Sequence, residues 1–413
     1  MSTIIRERNG YTMRKSKSNI VLTVAALFLT SIFLSNSTQA ATTKNLTIWA
    51  EQAFVASIKS LSANWSKEKG ITVEVIGKDG FGMTDNLASI GKAGKGPDVI
   101  IFQHDGIAAL AISGVISPFS SSTFNPKSVA KSTLSAVTYN SGMYAVPITV
   151  QSLALATNLS LAKSAPITFT EMEDKSRDLI SAGKAKVGLV VDANGYGLFP
   201  IFDALGGYLF KTSASGKVDP KVTGIYSPQL AKNAAVFERF KREKFIDFSI
   251  LWGNTAFFDG KAPYMMVGPW NVPALNAAPF KYEISSIPSL QGKPARVFTG
   301  VQAAAMSNFA KNKSVARDYL KKVVSTPEFS VALAKAQNSF PANLEAIATL
   351  DSNATNTKFG LVSVNGFPIP NIPQMQKVWT YWNGAWENWG NDKGSFAEIF
   401  SKASKDLTVF LSN

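Results

Sequence analysis

Cysteine is absent from all 413 residues, and histidine occurs once, at His104. The first absence excludes disulfides, thiol catalysis, Cys-ligated metals and the lipidated cysteine that tethers many exported proteins to a membrane. Motifs for cofactors and catalysis are missing as well. The chain has no Gly-x-Ser-x-Gly nucleophile elbow. It also lacks a GxxxxGK[ST] phosphate loop, a His-Glu-x-x-His helix and an Asp-rich calcium loop, so no cofactor and no metal are expected. Acidic residues are the minority charge, 28 against 42 Lys and Arg, for a net +14. The excess is scattered, as at Lys67, Lys69, Lys78, Lys92 and Lys95. Nucleic-acid binders gather such charge on one face, so nucleic acid is not an expected partner.

An apolar run long enough to cross a bilayer is also lacking. Ile20 to Leu34 is uncharged but spans about 15 residues, short of the ~20 a helix needs. Arg14, Lys15 and Lys17 precede it, and Ser37-Thr38-Gln39-Ala40 follows with small residues. Basic, apolar, then small is the order of a secretory signal peptide, expected over residues 1–40 and removed before Ala41. A membrane anchor is the competing reading of that run. Without a lipidation cysteine, the mature protein is expected to be soluble and exported, in a periplasm or cell-envelope space. About 370 residues remain, more than one ordinary core organises, which predicts two domains.

What is present alternates strand with helix. Leu46 to Ala50 reads as a strand, and Phe54, Ile58, Leu61 and Trp65 recur at helical spacing. Ile71 to Ile76 alternates, Asp85 to Ala93 reads as helix, and Val99 to Phe102 is the continuous apolar run of a strand covered on both faces. Val187 to Val191 begins a second such region, with a loop through Tyr196 and a helix from Phe199 to Leu205. The pattern predicts an α/β fold whose ligand sits beyond the carboxyl ends of the strands.

Aromatic residues outside helices are the next signal. Gly268-Pro269-Trp270 breaks the strand Ala262 to Val267 and sets an indole at its end, suited to stacking on a flat ligand or to the core. Residues 379–389 hold five aromatics, of which Trp382, Trp386 and Trp389 share a stripe with Trp379 on a helix after Pro373. Packing is the expected role of those three, while Trp379 suits either role on spacing alone. Flat rings beside hydroxyl acceptors are what a sugar needs, since its faces are apolar and its rim polar.

The His104-Asp105 pair invites a catalytic reading, but one pair is not a mechanism. Asp105 is better read as an acceptor for sugar hydroxyls. A secreted glycoside hydrolase is the enzymatic alternative and needs two carboxylates flanking the bond. Asp105 and Glu51 follow strands, but the second region offers the amides Gln151 and Asn194, which cannot act as a general acid. A peptide or polyamine binder is the other alternative, disfavoured by a cleft poor in charge. The expected protein is not an enzyme.

Five segments carry a resemblance over nearly the whole mature chain: Gly96 to Asp105, Tyr144 to Asn158, Gly206 to Lys211, Gly268-Pro269-Trp270 and Pro370 to Met375. They resemble the extracellular sugar-binding proteins of ABC importers, of the maltose-binding type. The resemblance implies two lobes of periplasmic-binding-protein fold joined by crossing strands and closing by a hinge. Its lobes would be 41–148 with 302–350, and 149–301 with 351–413. It places Asp105 as hydroxyl acceptor and Tyr196, Trp270 and Trp379 as stacking rings, with Phe102 where the pattern has a tryptophan. It also points to departures: Gln151 and Asn194 for glutamates, Asn383 for an arginine, and Glu51 near a missing Asp-Lys pair. Amides still exchange hydrogen bonds with hydroxyls, so the resemblance implies a carbohydrate ligand with an altered rim. A gluco-configured disaccharide or oligosaccharide, a transmembrane permease as partner and a monomeric state are the corresponding expectations.

Overall fold

In the first sheet the central strands are deeply buried, because strands such as Val99–Gln103 and Phe298–Met306 are apolar on both faces. The computed structural model describes residues 44–80, 82–213, 218–352, 354–363 and 366–412. The expected signal peptide lies outside the described residues. Among these, no helix is long and apolar enough to cross a membrane.

The strands of the two main sheets are β1 (Lys44–Glu51), β2 (Ile71–Lys78), β3 (Val99–Gln103), β4 (Val146–Gln151), β5 (Ala154–Asn158), β6 (Leu189–Val190), β7 (Tyr264–Val267), β8 (Tyr282–Ser285), β9 (Phe298–Met306), β10 (Phe340–Pro341) and β11 (Phe367–Pro368). The first sheet runs β10-β4-β9-β3-β1-β2, with β11 paired to β9, and the second runs β8-β5-β7-β6. β1 is parallel to β2 and β3, whereas β9 lies antiparallel between β3 and β4. That arrangement gathers the carboxyl ends of β1, β3 and β4 around the first half of β9.

The helices that matter for the site are α1 (Val55–Lys69), α2 (Gly195–Ala204), α3 (Pro327–Ala336), α4 (Thr355–Ser363), α5 (Met375–Gly390) and α6 (Phe396–Ser412). One apolar core, from Leu46 to Val150 and Val301 to Ala342, covers the first sheet; another, from Leu153 to Leu411, packs the second region. Trp382, Trp386 and Trp389 are buried in the latter, as the helical stripe predicts. Each ring of that size contributes roughly 1.5–3 kcal/mol on burial.

The chain passes between sheets three times. β4 runs through Ser152-Leu153 into β5, β8 leads to β9, and β11 continues through Ile369 toward α5. Polar side chains fasten these passages. Asn371 accepts from Ala108 N–H at 2.9 Å and donates to the carbonyls of Ala136 and Thr138. The buried Asp98 accepts from the amides of Thr47 and Lys311 at 2.8 and 2.7 Å, so this aspartate of the Gly96-Pro97-Asp98 turn serves the backbone.

One element starts earlier than its sequence suggests. The loop expected through Tyr196 is the first turn of α2, despite Gly195 and Gly197. Asn194 caps it by accepting from Gly197 N–H at 3.0 Å, which outweighs the weak helix propensity of glycine. Gly195 is required there for space: a Cβ would lie 2.4 Å from the Trp382 ring.

Candidate functional site

Three of the expected rings form one wall. Tyr196 stacks on Phe298 at 5.7 Å and tilts against Trp270 at 6.1 Å, while Trp379 meets Phe298 edge-on at 5.7 Å. Phe298, buried at the start of β9, is the hub that sequence reasoning did not single out. Its only signal is its place before Gly300 in an apolar strand. Trp270 is 47% exposed on a short turn over Pro269–Asn271. The indole lies over the bare Cα of Gly268, where a Cβ would come within 2.2 Å of it. Asn271 fixes the turn by accepting from Gly268 N–H at 2.9 Å.

Asp105 comes from the first sheet, just beyond β3, and is half-buried. Its charge acts on the Tyr196 phenol, which desolvation first and Asp105 second push well above the ordinary tyrosine range. The hydroxyl of Tyr196 therefore stays protonated, with the Asp105 charge close enough to act on it. Pro200 lacks the N–H that would bond the Tyr196 carbonyl in α2.

His104 is no general base. Val301 N–H donates to Nδ1 at 3.1 Å, so the proton sits on Nε2, which donates to the Ile369 carbonyl at 3.1 Å. The ring is fully buried, and desolvation holds its pKa below 6.5 against the opposing pull of Asp105. It ties the end of β3 to β9 and to the third passage.

Three of the expected contact residues are engaged within the fold itself. Phe102 is 1% exposed inside the first core, so its ring is packed rather than presented, because β3 is covered on both faces. Asn194 is buried and both its polar atoms are used, the oxygen as the α2 cap and the nitrogen on the Leu251 carbonyl at 3.1 Å. The oxygen of Asn383 accepts from Gly195 N–H at 2.8 Å, a second cap on the same helix. Through these bonds both amides support the start of the helix that carries Tyr196.

A polar cluster occupies the other end. Glu51 accepts from Gln302 and, at 2.9 Å, from Gln337, and Gln151 donates to Gln337 at 3.5 Å. Sequence reasoning reached Glu51 and Gln151 but missed Gln302 and Gln337. A glutamine interrupting the apolar run of β9 was a visible signal for the first; the second, just past α3, gave none. A groove of about 680 Å³ opens elsewhere, lined by Lys186, Lys241, Lys244 and Asp247 among others, and includes none of these residues. Without an exposed ring it does not suit the same ligand.

A family model described as bacterial extracellular solute-binding protein matches residues 60–359. The chain is 27% identical over 348 residues to a maltodextrin-binding protein of Bacillus subtilis, covering 82% of this chain and 83% of that one. A galactooligosaccharide-binding protein of the same organism is 25% identical over 393 residues, covering 87% and 88%. A maltooligosaccharide ABC transporter solute-binding lipoprotein of Streptococcus pneumoniae is 28% identical over 350 residues, covering 81% of each.

Proposed function

Because the chain belongs to the bacterial extracellular solute-binding proteins, we propose that it captures a carbohydrate and delivers it to the transmembrane permease of an ABC importer. The observation that carries the reading is the wall of Tyr196, Trp270 and Trp379 around Phe298, with the Asp105 carboxylate acting on Tyr196 from the other sheet. Rings offer the flat apolar surface that pyranose C–H faces cover, and an ionised carboxylate accepts hydroxyl donors strongly. The ligand is a neutral di- or oligosaccharide, gluco-configured by preference. Relatives named for maltodextrin and for galactooligosaccharides both support this class.

The protein binds without catalysis, as a soluble monomer in the cell-envelope space. One relative is named a lipoprotein; this chain has no cysteine to carry a lipid. Its lobes are 41–148 with 302–350 and 149–301 with 351–413, a division supported by the makeup of the two cores. Closure would bring Asp105 and Glu51 toward the aromatic wall, with His104 and Asn371 at the passages between lobes.

Intrinsic tryptophan fluorescence and thermal shift of the signal-free protein, against maltotriose, galactooligosaccharides, xylosides and amino acids, test this. A ligand at a hundredfold excess over Kd raises stability by about 2.7 kcal/mol. A peptide or polyamine shifting the melt where no sugar does would overturn the reading. Release of monosaccharide with time would replace binding by hydrolysis.

A further inference from the structure

β9 links the aromatic wall to the polar cluster in a single strand. Phe298, Gly300 and Gln302 alternate along one face, and four residues of strand separate Phe298 from Gln302 by roughly 13 Å. Gly300, buried, lies between them: a Cβ there would lie 3.3 Å from the Gln103 side-chain oxygen and 3.9 Å from the Gln151 carbonyl. The strand thus carries a buried ring near one end and a buried glutamine farther along, a span longer than one pyranose.

Gln302 is fully buried and donates to Glu51, yet its own carbonyl oxygen accepts no hydrogen bond. Thr149, its register partner on β4, has a buried hydroxyl that is likewise unpaired. An unpaired buried polar group destabilises the fold, and an apolar residue of similar shape would not. Next to this pair the ladder is irregular, with a register shift between Gln302 and Ala303. Bulges of this kind re-aim side chains beside sites. Gln337, half-buried, grips the second oxygen of Glu51 from past the end of α3. Room for the carboxylate comes from Gly80, whose missing Cβ would lie 3.0 Å from the Glu51 carboxyl carbon.

We infer that Gln302 and Gln337 are positioning residues that hold Glu51 with one lone pair of each oxygen directed at ligand, making it the reader of a vicinal diol on the sugar unit farthest from the aromatic wall. This rests on the carbohydrate reading above and deepens it. Each carboxylate oxygen has a second lone pair beyond the one its glutamine uses. Two neighbouring hydroxyls satisfy both, whereas a uronate or sugar phosphate meets like charge and is rejected. The pairing selects neutral oligosaccharides that reach from the rings to Glu51 over monosaccharides that do not.

The test is calorimetric titration of the wild type, Gln302→Leu and Gln337→Leu with maltotriose, a galactooligosaccharide, their singly deoxygenated terminal-unit derivatives and the corresponding terminal uronates, with melting temperatures measured alongside. For whichever parent sugar binds the wild type, one deoxy derivative should bind about tenfold more weakly or worse. That discrimination should collapse to near unity in both variants, and the penalty against the uronate should persist, since the Glu51 charge remains. Gln302→Leu should melt close to the wild type, because removing an unpaired buried oxygen offsets the loss of the donor to Glu51. A purely structural role predicts the reverse: a lower melting temperature and affinities reduced in equal proportion for parent and deoxy sugar, which would overturn the inference while leaving sugar binding intact. If no sugar binds the wild type, the carbohydrate reading falls and this inference with it.

Discussion

The aromatic wall and the polar cluster are held by opposite means. The aromatic wall is set by packing: Tyr196 and Trp379 lean on Phe298, which lies 3.7 Å from Phe199 in the second core, so the rings inherit the rigidity of that core. The polar end is set by a few directed hydrogen bonds around Glu51, one of them to a glutamine whose other half is unpaired. Packing fixes orientation cheaply for flat groups that tolerate many partners. Directed bonds discriminate, at some cost to the fold. A binder that accepts a class of sugars yet rejects members of it needs both.

The largest effect should separate packed from presented indoles. Trp382→Ala removes a fully buried ring against Phe202 at 4.6 Å and should cost about 3–5 kcal/mol. Trp270→Ala, on a half-exposed ring, should shift stability by less than about 1 kcal/mol and abolish the sugar-induced fluorescence change. Denaturant unfolding and fluorescence titration read the two; unfolding of the Trp270 variant would return that ring to the core.

Next in size is the buried His104 between β9 and the segment after β11. His104→Ala leaves Val301 N–H and the Ile369 carbonyl unpaired and should cost about 2–5 kcal/mol. His104→Gln keeps one acceptor and one donor and should retain most of the stability. The pKa is lowered in the folded state, so below its usual 6.5 the unfolded chain binds the extra proton and the folded chain does not. Stability should therefore fall as pH drops through that range, by up to about 1.4 kcal/mol per pH unit from this group. The wild type minus His104→Gln difference in unfolding free energy, measured from pH 8 to pH 5, isolates the effect; a difference flat with pH would sink it.

Much of this was legible in the sequence. The strands from Leu46, Ile71 and Val99 and the Trp382, Trp386, Trp389 stripe follow from periodicity, and the Trp270 turn from Gly268-Pro269. What could not be read is where amides spend their hydrogen bonds. Asn194 and Asn383 look like rim residues, but their oxygens accept from backbone amides of α2, one of them across 188 positions of chain. Phe102 is a different case: its place in a strand readable as covered on both faces already pointed to packing, and only the resemblance and its nearness to Asp105 drew it toward the site. Gln337 meets Glu51 across 286 positions, a closeness created only by the fold.

A smaller change probes how the wall is supported from below. Gly268→Ala puts a methyl where the Trp270 indole lies, so the ring must swing away. The backbone there has an ordinary negative φ of −98°, so the substitution strains packing and not the chain. Overpacking costs typically 1–3 kcal/mol in a closed core, but an exposed ring yields, and the loss should appear in binding. Affinity for sugar should drop about tenfold, roughly 1.4 kcal/mol, with the melting temperature nearly unchanged.

The smallest expected effect lies beneath Tyr196. Arg296, just before β9, grips Asp203 of α2 through two parallel bonds of 2.9 and 2.6 Å and covers the Phe367 ring of β11 at 5.3 Å. It joins the helix that carries Tyr196 to β9 and β11. Arg296→Lys keeps the charge but loses the fork and the planar stacking. With the arginine side chain 48% exposed, solvent screening limits the loss to about 0.5–1 kcal/mol. If the aromatic end is held by packing, that loss should leave sugar affinity within about twofold of the wild type. A larger drop in affinity than in stability would show that directed bonds govern this end too, and the contrast between the two walls would fail.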